Sequence, residues 1–209
     1  MLKLLPKYSL EFEVERIKYT MGKLEWFNQN GYKVYLPKKI IEVDFLKNEI
    51  LSDENIKECI LLEYQEKDYL QLVEYIKKEW VKYEEIFYFR LKDLSLPLCE
   101  EYFVYLTKYG VGGSYHFPNE IIVNIQMKYG VGLVRTIFHE IIHLTIHSLI
   151  EKNKVEHWVK ERIIDLILKK FVPELSKEQS LPIKTEHIDK VFEENYPNIE
   201  LITEKLSTR

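Results

Sequence analysis

Two histidines and a glutamate, His139, Glu140 and His143, stand in the spacing His-Glu-x-x-His inside an apolar run. If that run is helical, positions i and i+4 share one face, and both imidazoles can reach one metal ion. Glu140 sits beside them, where it can take a proton from a metal-bound water. A hydrolytic zinc site needs three protein ligands and one open position. The pentad therefore supplies two ligands and a base, and the third ligand must come from elsewhere. The flanks are almost wholly apolar: Leu133, Val134, Ile137 and Phe138 before, Leu144, Ile146, Leu149 and Ile150 after. A helix apolar all round is a buried one. Burying three titratable side chains without a partner is costly. The cofactor expected from this chemistry is Zn2+.

Downstream, Glu151 to Lys154 form a polar break suited to a short connection. Val155, Val159, Ile163, Leu166, Ile167 and Phe171 then recur at helical spacing until Pro173. This second helix carries Glu161 and, four residues on, Asp165, so both carboxylates share a face. Glu161 is the only Glu after His143 with Asp at i+4. One of the two can bind the metal, and the other can accept the free N–H of a ligand histidine and fix its tautomer. His147 and His157 compete as ligands. His147 extends the row on the first helix, and His157 lies one turn before Glu161. The elongated metzincin pattern requires Gly and His where Ile146 and Leu149 stand. A deformylase requires a Gly-Cys-Leu-Ser-like segment, whereas Cys99 lies in Leu-Pro-Leu-Cys-Glu. A di-iron bundle requires a second Glu-x-x-His, and the chain has none.

His139-Glu-x-x-His143 followed by Glu161-x-x-x-Asp165 resembles the gluzincin metallopeptidases, and among them the small soluble minigluzincins. The resemblance covers roughly residues 100–172, about a third of the chain. It departs from the family's pattern at Lys160, where Asn is common. It implies Glu161 as third zinc ligand, Asp165 as the group that steadies His139, and Glu140 as general base and acid in peptide-bond hydrolysis. His157, Tyr115 and His116 are the candidates to support the substrate's carbonyl oxygen. The resemblance also implies that the strand before the active-site helix, Asn119–Ile125, forms the cleft's upper rim. It would pair there with extended substrate.

The elements that must position these residues follow from periodicity. The active-site helix is expected over about 133–150 and the glutamate helix over about 155–171. Residues 9–29 read as one amphipathic helix, 32–36 as a short extended stretch, 38–65 as mixed and 67–82 as helical. Ile86–Leu91 and Tyr102–Leu106 read as strands from their aromatic and β-branched content. Five of the seven glycines fall between Gly110 and Gly132, which concentrates unusual backbone just before the pentad. The fold expected is α+β, with a small, mostly antiparallel sheet. Residues 1–95 form a helix-rich region suited to an appended subdomain, 96–172 the metallopeptidase core, and 173–209 a tail. That tail either docks as a helix around Ile188–Glu194 or covers the cleft.

With 46% hydrophobic and 31% charged residues, the chain has the composition of a folded globular protein. A net charge of −4 without a basic stripe argues against nucleic acid as partner. Two cysteines, Cys59 and Cys99, make no disulfide framework. The opening residues are too short for a signal segment, and no uncharged run reaches membrane-spanning length. A cytoplasmic protein that meets a peptide or protein substrate, and no membrane, is expected. A second reading is a regulatory peptidase that cuts one repressor-like partner, although no DNA-binding helix-turn-helix is visible. A third is a non-catalytic, zinc-stabilised binding module. Glu140 argues against it, because zinc binding alone does not require that residue.

Overall fold

The computed structural model describes residues 2–42, 52–128, 130–177 and 179–207. In chain order the elements are β1 (Lys3–Lys7), α1 (Leu10–Gly22), α2 (Leu24–Gln29), α3 (Lys38–Glu42), α4 (Asp53–Leu61), α5 (Glu66–Trp80), α6 (Glu84–Asp93), β2 (Glu101–Thr107), β3 (Gly113–His116), β4 (Glu120–Asn124), α7 (Val131–Asn153), α8 (His157–Phe171), α9 (Glu186–Asn195) and α10 (Ile199–Lys205). This is an α+β fold: a four-stranded sheet with helices packed around it. Part of the mixed stretch 38–65, residues 43–51, lies outside the described residues.

The sheet has the order β1-β2-β4-β3. Contrary to the mostly antiparallel sheet expected, β1 pairs with β2 and β2 with β4 in parallel, and only β3 and β4 run antiparallel. Connection length explains this. A few residues join β3 to β4, enough for a hairpin, whereas six helices intervene between β1 and β2. β4 is consequently an inner strand. The sheet's edges are β1 and β3, and it is β3 and the residue before it, not residues 119–125, that line the cleft beside α7.

Ile86–Leu91 is helical, in α6, not a strand. Phe87 and Leu91, four apart, are fully buried, while Ile86 and Phe89 are exposed. One buried stripe at helical spacing outweighs the strand-like composition. The single helix expected over 9–29 is two helices divided at Lys23. Ser9 starts the first, accepting the Phe12 N–H at 3.1 Å. Residues 32–36 contribute only an isolated bridge, Tyr35 to Gly110.

α7 is the central element. It packs on β3, β4, α5, α8 and α10, and it is buried on nearly every side. Phe138 anchors it among Trp80, Tyr83 and Phe87, with ring centroids 4.8, 6.1 and 4.2 Å away. The core around α7 also takes in Leu2, Tyr69 and Ile76 from the N-terminal region, and Ile188, Phe192 and Ile202 from the C-terminal one. A smaller cluster joins Val14, Ile17, Ile40, Ile56, Ile60 and Tyr109. The C-terminal helices dock on α7 and α8, with Arg162 holding Asp189 through two bonds of 2.7 Å. Among the described residues no helix is long and apolar enough to cross a membrane.

Candidate metal centre

The two pentad histidines project from the middle of α7 toward α8. Their Nε2 atoms lie 2.9 Å apart. Glu161 brings Oε2 to 3.2 Å from His139 Nε2 and Oε1 to 3.4 Å from His143 Nε2. Two donors each about 2 Å from one tetrahedral ion are separated by about 3.3 Å. The spacing between the imidazoles and from each imidazole to the nearer Glu161 oxygen is of that size, and one donor atom from each of the three residues lies within 4.8 Å of the others. Among the described residues this is the one His/Cys/Asp/Glu group that could hold a metal ion.

The surroundings fit the same reading. Glu161 and His143 are buried, so their polar atoms have little recourse to water. Burial opposes ionisation of Glu161, yet the two imidazoles outweigh it and hold its carboxyl well below the usual range. Burial pushes His143 down to about 4, which leaves it a neutral imidazole with a lone pair to give. Lys160 Nζ lies 3.6 Å from Glu161 Oε1 and offsets part of its charge. His143 Nδ1 is buried without a hydrogen-bond partner among the described residues, and the Tyr115 ring stacks on that imidazole at 5.0 Å and 17°.

Asp165, one turn after Glu161, has Oδ1 3.6 Å from His139 Nδ1. That is ion-pair distance and somewhat longer than a hydrogen bond. Gln179 secures this carboxylate from the tail: its backbone N–H donates to Oδ2 at 3.3 Å and its side-chain amide to Oδ1 at 3.1 Å.

Glu140 points from α7 toward the sheet's edge. A Cβ at Gly113 would collide with its carboxylate and with the Thr136 methyl. The glycine therefore admits the carboxylate against the β3 backbone. Burial raises the Glu140 carboxyl to about 7. Above it opens a cleft of about 540 Å³, lined on one side by Gly112, Gly113, Ser114 and Tyr115.

The remaining candidates divide. Tyr115 lines the cleft, but His116 does not. It is exposed on the strand's other face, with Nδ1 3.6 Å from Glu120. His147 lies outside the three-donor group. It meets the Tyr115 hydroxyl at 3.4 Å and stacks on Phe117. His157 lies in the cleft, paired through Nε2 with the Tyr32 hydroxyl at 2.7 Å.

Tyr32 has no counterpart in the sequence reading. Its ring stacks with Trp26 at 5.7 Å and Trp158 at 5.9 Å. Burial, then the charges of Glu161 and Glu140, push its hydroxyl's pKa upward, so it stays protonated facing the centre. The sole local signal was the aromatic density of Trp26, Phe27 and Tyr32.

Comparison with protein-family models, with curated proteins and with solved structures finds no match to this chain.

Proposed function

We propose that this protein is a zinc-dependent hydrolase of peptide bonds, with His139, His143 and Glu161 as the metal ligands. One observation carries the reading. A buried carboxylate that is not a ligand, Glu140, lies between the three-donor cluster and the exposed edge of a strand. Two imidazoles and a carboxylate suit zinc and leave a position open. When bound, zinc supplies Lewis acidity and activates water near neutral pH.

The chain's own residues do the rest. The unpaired edge of β3 gives backbone donors and acceptors to an extended peptide, as in strand addition. Glu140 accepts the proton of the attacking water and returns it to the leaving amine. The Tyr32 hydroxyl donates to the carbonyl oxygen as negative charge develops there, with His157 holding its direction. Tyr115 fixes the plane of His143. Asp165, held by Gln179, orients His139.

The test is digestion of a broad peptide mixture by the zinc-loaded protein, read by mass spectrometry, beside Glu140→Gln. Cleavage by the wild type is expected. Loss of roughly 10²–10⁴-fold in the variant at unchanged zinc content is also expected. A zinc-loaded wild type that cuts nothing, or a variant that cuts equally well, would overturn the proposal.

A further inference from the structure

The charges lining the cleft are Glu140, Glu161, Lys160 and Lys128, besides the histidines. Glu161 faces the two imidazoles and Lys160, and Glu140 lies against Gly113. Lys128 remains. It is half-buried, and its stem lies along Gly112, where a Cβ would come within 3.0 Å of Cε and 3.4 Å of Nζ. Among the described residues, no carboxylate lies within ion-pair distance of its ammonium.

Burial is the main cause that pushes the Lys128 ammonium's pKa down; Arg135 and Lys177 act in the same direction and Glu140 against it. Lys128 thus places an ammonium at the Gly112 end of the cleft, in a chain whose net charge is −4. Holding a half-buried ammonium without an anionic partner costs free energy unless something else compensates. The opposite end of β3 has a different character: there Tyr115 and Phe117 pack on His143 and His147. Lys160 lies over the Tyr115 ring at that end but is already paired with Glu161, so the cleft ammonium without an ion-pair partner among the described residues is the one at Gly112.

We propose that the Gly112 end of the cleft binds a carboxylate of the peptide substrate, with Lys128 as the contacting cation. The inference rests on the peptide reading above and names the substrate class: peptides with an acidic side chain, or a free terminal carboxylate, at one end of the bound stretch. Lys128 is a specificity residue and takes no part in proton transfer.

The test measures binding, so it does not depend on turnover. Fluorescein-labelled octapeptides carry one Glu at successive positions, each beside its Gln isostere and each as C-terminal acid and amide. Affinities are read by anisotropy on zinc-loaded Glu140→Gln protein. A preference of about tenfold for Glu over Gln at one position, or for acid over amide, is expected. The first outcome assigns a side-chain carboxylate, the second a terminal one. Lys128→Met should remove the preference and Lys128→Arg should keep it. Equal affinity across all pairs, absence of any binding, or a preference that survives Lys128→Met would overturn the inference. Charge-dependent binding by a protein whose wild type cleaves nothing would sustain it while removing the peptidase reading.

Discussion

Gly113 controls the position of Glu140 more tightly than any side chain does, because the carboxylate occupies the space a Cβ would need. Gly113→Ala is therefore expected to displace Glu140 while leaving the three donors in place. Zinc content should stay at the wild-type level and peptide cleavage should fall by at least about tenfold, within the range of a lost general base. Equal loss of zinc and activity would show that the strand moved instead. Asp165→Ala is expected to weaken zinc affinity by roughly 10–100-fold, and Gln179→Ala by less, since Gln179 acts only through Asp165. Competition with a zinc chelator measures both. Identical losses in the two variants would place the orienting role elsewhere. At this scale the meeting of His139, His143, Glu161 and Asp165 was legible, because helical spacing puts each pair on one face, while the choice of Glu161 over Asp165 as third donor came from the resemblance. Tyr32 was not, because its partner His157 lies 125 positions away and no local pattern encodes that approach. Tyr115 and His116 were both expected near the cleft. Tyr115 is there, packed on His143, whereas His116 at the end of β3 is exposed beside Glu120.

The helices α7 and α8 were legible over nearly their full lengths because each carries a long, regular apolar pattern with a polar break between them. α6 was not, since a short aromatic-rich segment satisfies strand composition and helical spacing alike, and packing decides between them. Strand direction was also hidden, because it depends on which long connections cross the sheet and not on the residues within each strand. α7 must be rigid for the two imidazoles to keep their 2.9 Å separation. Phe138, one residue before His139, is its main anchor through Trp80 and Phe87. Phe138→Ala is expected to cost about 3–5 kcal/mol of stability. The shift in urea midpoint at constant slope measures it. A cost under about 1 kcal/mol would mean that the aromatic cluster does not fix the helix.

In the molecule as a whole, one core joins the first strand, the pentad helix and the C-terminal helices, so an ion bound at α7 and α8 stabilises all of them together. At a hundredfold excess of zinc over its dissociation constant, the linkage contributes about 2.7 kcal/mol. For a chain of this length that corresponds to a rise of at least about 5 °C in melting temperature. Differential scanning fluorimetry before and after chelation reads this directly, with Glu161→Ala expected to be insensitive to zinc.

The most direct measurement is the metal content of zinc-supplemented protein after extensive dialysis. About one zinc per chain is expected in the wild type, with loss of the metal in His139→Ala, His143→Ala and Glu161→Ala and its retention in Glu140→Gln. A metal-free wild type, or full zinc retention in Glu161→Ala, would contradict a centre built from these three donors.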